Sequence, residues 1–330
     1  MPRQARIVSN DGIYHVLNRG NYRSFIFESE GAKLSFEKTL FEACEKFSWN
    51  LSAYCVMSNH FHLCLATPCG NLSEGMRWLQ ATYAMRFNRY RKVNGHLFQG
   101  RFKSLIVEPG KHWQDLVDYI HLNPVRAGLV DSAALGKYPW TSLYRFPKRK
   151  RRPKFLDCSW MDFDEILEDS KGGWMRYLNR LTMKASDDPS AIETLEKRMC
   201  RGWCLGGKDF KTAIVKDLLS NGEAVTLEKD ELGDFNRTQW ELMLEGCMNA
   251  LGKTKEDILR DDKSAAWKKA IASKMRRRSS VTGSWLSDKL QMGAARNVNA
   301  MISYYDKGAI KRCPFAKRLR KNWVAEGDKD

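Results

Sequence analysis

The sequence predicts an α+β fold, with a ferredoxin-like split βαβ antiparallel sheet in the first 146 residues and an all-α region after it. Three observations support this. The N-terminal part follows the order strand, helix, strand, strand, helix, strand, helix when its apolar periodicity is read along the chain. Residues 154–262 lack strand-like alternation and read as helical and irregular, with breaks at 171–173, 187–189 and 206–207. Near the C-terminus three helix-length segments recur, the last two separated by a short glycine-containing turn.

Residues 13–19 give the first strand. A helix follows over about 29–47, where Leu34, Phe36, Leu40, Phe41 and Ala43 form a helical stripe. Residues 51–57 and 61–66 give two more strands joined by Ser58 and Asn59, a tight hairpin. The Pro-Cys-Gly-Asn run at 68–71 breaks the chain, and a second helix runs over about 72–89 with Asn71 or Ser73 as its cap. Residues 102–107 form the fourth strand, and 113–123 a third helix that Pro124 is expected to stop. Such a sheet carries its helices on one face and leaves the other free for a ligand.

Beyond a basic, proline-bracketed run at 147–153, read as an exposed linker that touches phosphate or is merely solvated, the chain is an acidic spacer to residue 262. A basic helix is then expected over 265–278, a second over 281–290, a turn at Met292 and Gly293, and a third helix over 294–304. This is the helix-turn-helix pattern, whose second helix enters the major groove. Arg296, Asn297 and Asn299 near its start can reach base edges or phosphates. The competing reading is a three-helix packing module. The expected domains are therefore 1–146, 147–262 and 263–330.

Charge favours a polyanionic partner. The net charge is +17, but residues 1–150 carry 21 Lys and Arg against 11 Asp and Glu, residues 151–262 carry 18 against 23, and residues 263–330 carry 17 against 5. Two basic segments flank an acidic one, as expected for two nucleic-acid contact surfaces joined by a spacer. No apolar run approaches the roughly 20 residues of a membrane-spanning helix, and the first residues contain no apolar stretch of signal-peptide type. The nine cysteines form no Cys-x-x-Cys pair, so a reduced, cytoplasmic protein is expected rather than a disulfide framework or a zinc knuckle.

The most informative local feature is His60-Phe61-His62. Side chains two apart on a strand share a face, so the two imidazoles sit side by side on a half-buried strand and can hold a divalent metal. Two core-edge histidines satisfied by hydrogen bonds are the alternative. A metal site needs further ligands, and phosphoryl chemistry needs a nucleophile. Tyr119 and Asn123 lie four residues apart, on one face of the third predicted helix. The Asn123 amide oxygen can coordinate a metal, with Mg²⁺ or Mn²⁺ the suitable ions, and Tyr119 can attack a phosphodiester. On helix pattern alone, Tyr119 reads more readily as packed core than as a nucleophile.

Together these segments resemble the REP-associated tyrosine transposases, bacterial relatives of the single-tyrosine HUH transposases of the IS200-like superfamily. The matching runs are YHVLNRG at 14–20, MSNHFHL at 57–63, GHLFQGRFKS at 95–104, DYIHLNPVRAG at 118–128 and YPWTS at 138–142. The resemblance implies an HUH fold and a metal pair at His60 and His62. It also implies a nucleophile at Tyr119 and a polar ligand at Asn123. The implied activity is a Mg²⁺- or Mn²⁺-dependent single-stranded DNA endonuclease and strand transferase that acts on REP-type hairpins through a covalent 5′-phosphotyrosine. The alternative is a catalytically idle DNA-binding regulator of hairpin or repeat DNA. On this view Arg86, Arg89, Arg101 and Lys103 track the DNA backbone, and Phe98 and Phe102 stack on unpaired bases or pack in the core. His96 and His121 are second-tier candidates. The resemblance leaves monomer and homodimer open and implies a cytoplasmic, nucleoid-associated protein. The C-terminal segment resembles the helix-turn-helix of the bacterial replication initiator, with duplex DNA as its expected partner.

Overall fold

In a computed structural model, which describes residues 11–185, 189–220, 227 and 229–322, five strands form one sheet. They are β1 (Gly12–Arg19), β2 (Asn50–Val56), β3 (His60–Thr67), β4 (Lys103–Val107) and β5 (Cys204–Leu205), in the order β2-β3-β1-β4-β5. β1 lies between β3 and β4, antiparallel to both, and β2 pairs antiparallel with β3. The first four strands thus have the ferredoxin-like order expected from the sequence, and β3 is an inner strand. β5 joins β4 in parallel, so the sheet is mixed.

The helices of the split βαβ units are α1 (Glu30–Phe47) and α2 (Leu72–Arg91), followed by α3 (Lys111–Arg126), α4 (Ser142–Arg145), α5 (Lys171–Lys184) and α6 (Pro189–Cys200). The Ser29 hydroxyl caps α1 by accepting from Ala32 N at 3.2 Å. Asn71 occupies the N-cap position of α2, but its side chain accepts from Trp49 Nε1 at 2.8 Å and donates to the Phe47 carbonyl. It therefore ties the helix entry to the end of α1. α2 packs tightly there, since a Cβ on Gly75 would lie 2.1 Å from the Trp49 ring.

The alternation of β3 divides the molecule. Phe61 meets Phe36 of α1 at 4.8 Å between ring centroids and Phe27 at 6.3 Å, and Phe36 in turn meets Tyr83 of α2 at 5.2 Å. His60 and His62 point to the opposite face, where α3 packs against β2 and β3. That face is therefore covered, not open as the sequence led us to expect. The reason lies in β1 and β2, which are buried at almost every position instead of alternating apolar with polar. Strands of that kind need cover on both faces.

Two further expectations change. α3 does not stop before Pro124 but runs through it to Arg126. A proline φ fits helical backbone, and the turn beyond it is closed by Ala127 N to Asn123 O at 3.0 Å and Gly128 N to Val125 O at 2.9 Å. Phe98 and Phe102 are not free platforms. Phe102 is buried, and half-buried Phe98 packs against Phe61 and Tyr83. Phe98 thereby joins the aromatic core.

The segment after residue 146 builds a second aromatic cluster against α3. Phe146 stacks on Trp174 at 5.0 Å, and Trp160 contacts Tyr177 at 5.0 Å. Buried His121 joins Tyr177 Oη at 2.8 Å to Ser142 Oγ at 2.7 Å, so it is a structural histidine. Asp118 pairs with Lys184 at 2.7 Å and Arg180 at 3.2 Å. The basic run at 147–153 is exposed at Arg149, Lys150 and Arg151, whereas Arg152 is tied to Asp169 at 2.6 Å.

The chain divides into a first unit of Met1–Gly207 with Val225–Leu227, and a second of Lys208–Ala224 with Glu228–Asp330. The second unit is helical: α7 (Lys208–Ser220), α8 (Lys229–Leu251), α9 (Lys255–Arg260), α10 (Ala266–Arg278), α11 (Gly283–Leu290), α12 (Ala295–Lys307) and α13 (Pro314–Asn322). Its core gathers Trp267, Ile271 and Met275 of α10 with Leu286, Leu290, Val298 and Ile302 of α11 and α12. Thr254 and Asp257 form a capping box on α9. Lys268 is fully buried and donates to the carbonyls of Ile258 and Asp261 at 2.7 and 2.8 Å. Between α11 and α12 the chain turns through Gln291 and Gly293, both at positive φ. Among the described residues, no helix is long and apolar enough to cross a membrane.

Candidate active site

The strand pair β1–β3 places three imidazoles together. His60 and His62 lie 5.0 Å apart between ring centroids, His60 half-buried at the mouth of the strand and His62 buried. His60 Nδ1 is 2.7 Å from Asn59 Oδ1. His62 Nδ1 is 2.9 Å from Nε2 of His15, whose Nδ1 is 2.8 Å from the backbone carbonyl of Met199. All three imidazoles are held in the neutral form. Burial, then the Arg19 charge, lowers His60 to about 4. Burial also lowers His15 to about 4, with a further contribution from Lys103, and pushes His62 well below its ordinary value.

Sequence reasoning missed His15, and a signal for it existed. His15 sits within an apolar strand, and register across an antiparallel pair sets it opposite Cys64, next to the His62–Leu17 pair. Only the pairing partner was needed, and a single sequence does not give it.

From α3, Tyr119 faces the same site. Its ring meets His62 edge-on at 5.6 Å and His15 at 6.1 Å. The Arg126 guanidinium lies 5.3 Å from the ring centre. The residue is only 3% exposed, and its hydroxyl contacts Cys200 Sγ at 3.2 Å. Burial, then the neighbouring Cys200, raises the phenol well above its ordinary range, and Arg126 opposes that shift. Asn123, buried one turn later, donates its side-chain N–H to the Tyr119 carbonyl at 2.9 Å. That bond fixes the amide and leaves its oxygen as the group able to accept or coordinate. The structure thus gathers His60, His62 and Tyr119, adds His15, Arg126 and Cys200, and keeps Asn123 in step with Tyr119 on α3.

Among the described residues, no cluster of three or more His, Cys, Asp or Glu side chains is arranged as a metal site. The available donors suit a divalent cation of intermediate hardness all the same. Both strand histidines are neutral and engaged at Nδ1, which leaves Nε2 of each for a ligand role, and Asn123 offers an amide oxygen.

The proposed DNA contacts separate into two groups. Arg86 is committed to α1, with Glu42 at 2.8 Å and Thr39 at 2.8 Å. Arg89 and Arg101 are exposed, as is His96, and half-buried Lys103 lies close enough to His15 to lower its pKa. In α12, Arg296 and Asn297 are exposed, whereas Asn299 accepts from Arg276 and packs beside Gly283. A further aromatic was not singled out in the sequence. Tyr22 is 94% exposed and holds a left-handed backbone, φ 51°, as does Arg23 at 60°. Its loop is tied to the turn before His60 by Gly20 N to Asn59 O at 2.8 Å and Asn59 Nδ2 to Arg23 O at 3.3 Å. Gly20 permits this closure, since a Cβ there would lie 2.3 Å from Ser24 O.

With this geometry in view, comparison with known proteins decides the family resemblance. Residues 8–123 match the family model described as transposase, IS200 like. The resemblance read from the sequence is borne out over that part of the chain. A Haemophilus influenzae relative described as a REP-associated tyrosine transposase is 23% identical over 130 residues, 36% of this chain and 73% of its own length. A solved structure described as a REP-associated tyrosine transposase bound to a REP hairpin covers 50% of this chain and 96% of its own, with 20% identity and a TM-score of 0.38. A Deinococcus radiodurans structure described as a transposase covers 34% of this chain and 90% of its own, with 19% identity and a TM-score of 0.27. The matched segment ends at Asn123, so it spans His15, the His60–His62 pair and Tyr119, but neither Arg126 nor Cys200.

Proposed function

We propose that the first unit is a metal-dependent single-stranded DNA endonuclease and strand transferase that acts on hairpin DNA through a covalent 5′-phosphotyrosine, the chemistry of DNA transposition. The observation that carries the reading is the edge-on contact of Tyr119 with His62 beside the His60–His62 pair, inside a segment that matches the IS200-like transposases. His60, His62 and the Asn123 amide oxygen would hold a Mg²⁺ or Mn²⁺ ion. When bound, that ion supplies charge to polarise the scissile phosphate.

The protein's own groups supply the rest. The Tyr119 oxygen attacks phosphorus and forms a new O–P bond while the bond from phosphorus to the 3′ oxygen breaks. The 5′ end stays on Tyr119, and the departing 3′ oxygen takes up the proton that the phenol gives up. A second 3′-hydroxyl reverses the step and completes strand transfer. Arg126, beside the phenol ring, favours the anionic phenolate and the phosphate that approaches it. Access requires that the Cys200 thiol turn away from the Tyr119 oxygen.

DNA reaches the site along the exposed Arg89 and Arg101, with Lys103 nearer the histidines. Tyr22 replaces Phe98 and Phe102 as the surface for stacking an unpaired base, since it is the exposed ring on the loop tied to His60's turn. In the second unit, α11 and α12 serve as a helix-turn-helix that engages duplex DNA through Arg296 and Asn297, with Asn299 oriented by Arg276.

The test is incubation with labelled hairpin DNA and Mn²⁺, followed by denaturing electrophoresis. The expected result is a protein–DNA adduct that Tyr119→Phe fails to form. A second reading, an idle DNA-binding regulator, is favoured by the burial of Tyr119 and its contact with Cys200. It predicts hairpin binding by the wild-type protein with no adduct under any metal condition.

A further inference from the structure

The Met199 carbonyl fixes the hydrogens of two imidazoles in series. A carbonyl oxygen only accepts, so His15 Nδ1, 2.8 Å away, carries the hydrogen. His15 is fully buried between a carbonyl and a second imidazole, a setting with no counter-charge for an imidazolium, so the ring is neutral and its Nε2 holds a lone pair. The 2.9 Å bond to His62 Nδ1 is then donated by His62. Neutral His62 keeps its own lone pair on Nε2, which has no hydrogen-bond partner among the described residues.

We propose that His15 is a positioning residue which, anchored on the Met199 carbonyl, holds His62 in the Nδ1–H tautomer and presents its Nε2 to a divalent cation. This rests on the metal-dependent reading above. His60 is held in parallel, because the Asn59 amide oxygen accepts from His60 Nδ1 while the amide nitrogen donates to the Arg23 carbonyl. Both strand histidines therefore spend Nδ1 on a hydrogen bond and keep Nε2 for a ligand. A histidine that merely filled the core would have no need of this order. His15 lies between an acceptor that only accepts and a histidine whose outward nitrogen is left unpaired. Metal-bound histidines owe affinity to such partners, and loss of one lowers it roughly 10- to 100-fold. The relay also gives the segment after α5 a part in the site, since its anchor is the carbonyl of Met199 on α6.

The decisive measurements are long-range ¹H–¹⁵N spectra of the metal-free protein and Mn²⁺ titration by calorimetry, with no DNA present. The wild type is expected to show His62 protonated at Nδ1 and bare at Nε2. His15→Leu should lower Mn²⁺ affinity by roughly 10- to 100-fold and let His62 exchange tautomers. His15→Gln should restore most of the affinity, because its amide N–H can donate to Met199 O while its amide oxygen accepts from His62. His15→Leu with wild-type affinity, or wild-type His62 protonated at Nε2, overturns the proposal and leaves the endonuclease reading standing. Should His15→Leu fail to fold, His15→Gln decides alone: near-wild-type Mn²⁺ affinity with His62 protonated at Nδ1 supports the relay, and weak Mn²⁺ binding by the folded glutamine variant, or a His62 mixed between tautomers with unchanged affinity, refutes it. If the double variant His60→Ala, His62→Ala binds Mn²⁺ as tightly as wild type, the metal reading itself falls, whatever the tautomer of His62.

Discussion

The first unit should lose stability steeply between pH 7 and pH 5, well before its carboxylates titrate. His15 and His121 are fully buried and neutral, lowered by burial to about 4 and about 3. In the unfolded chain both return to about 6.5. The folded state therefore binds fewer protons. The stability these groups contribute is present above pH 6.5 and is lost as pH falls toward their folded values. At pH 5 each unfolded imidazole is almost fully protonated while each folded one remains neutral, which costs roughly 2 kcal/mol per residue, or about 4 kcal/mol for the pair. His62, also lowered, adds in the same direction. Against a typical domain stability of about 5–15 kcal/mol, that is a large share. Hydrogen exchange of the β1 and β3 amides, corrected for the intrinsic effect of pH on exchange, reads the opening free energy of this unit alone. His121→Gln removes one of the four lowered imidazoles, His15, His60, His62 and His121, and should cut the slope by roughly a quarter. An opening free energy that stays constant from pH 7.5 to pH 5 would refute the assignment of His15 and His121 as buried neutral groups.

Other outcomes follow from single contacts. Tyr22→Ala should weaken binding of unpaired hairpin ends by about 1–3 kcal/mol, the usual worth of one stacked base, and leave the melting temperature unchanged because the ring is 94% exposed; equal affinity in a fluorescence-anisotropy titration removes Tyr22 from the DNA path. Cys200→Ala should raise the rate of adduct formation several-fold by uncovering the Tyr119 oxygen, and a slower single-turnover rate would show that the thiol assists instead. Gly75→Ala should destabilise the α2 face by about 1–3 kcal/mol in urea unfolding, since the new methyl meets the Trp49 ring. Arg296→Ala should weaken duplex binding by the second unit and reduce its dependence on salt, with hairpin cleavage unchanged.

Much of the first unit could be read in the sequence because its strands and helices obey local rules. The His60–His62 pair was legible from period two alone, and the Tyr119–Asn123 pair from helical spacing. The ferredoxin-like order followed from the succession of elements. What escaped was non-local. His15 needed the β1–β3 register, and Met199 and Cys200 reach the site from a segment that reads only as helical and irregular. Phe98 and Phe102 looked equally like platforms and like core, and only the ring contacts of Phe98 with Phe61 and Tyr83 and the burial of Phe102 separate the two. Pro124 misled because its cost to a helix is one hydrogen bond, which the packing of α3 between the sheet and α5 outweighs. Tyr22 was invisible because exposure is a tertiary property, although the cost of its left-handed backbone is the kind of strain that collects at functional sites.

Burial explains how a chain of net charge +17 can bring three histidines within reach of Lys103 and Arg19 without self-repulsion. A protonated imidazole here would lose its water and face like charge, so each is kept neutral, and the lowered pKa values record that choice. Neutrality then has a chemical consequence, because a neutral imidazole has one nitrogen that donates and one that accepts. A fixed carbonyl at Met199 and a fixed amide at Asn59 select which nitrogen does which. The same burial acts on Tyr119 in the opposite sense, raising its phenol and holding its proton on beside Cys200. The histidines and the phenol are thus kept neutral beside the fixed positive charges of Arg126 and Lys103. On the proposed mechanism, burial that tightens around Tyr119 should therefore slow adduct formation at any ion concentration, whereas tightening around His15 should raise affinity for the ion and leave the rate at saturating ion unchanged.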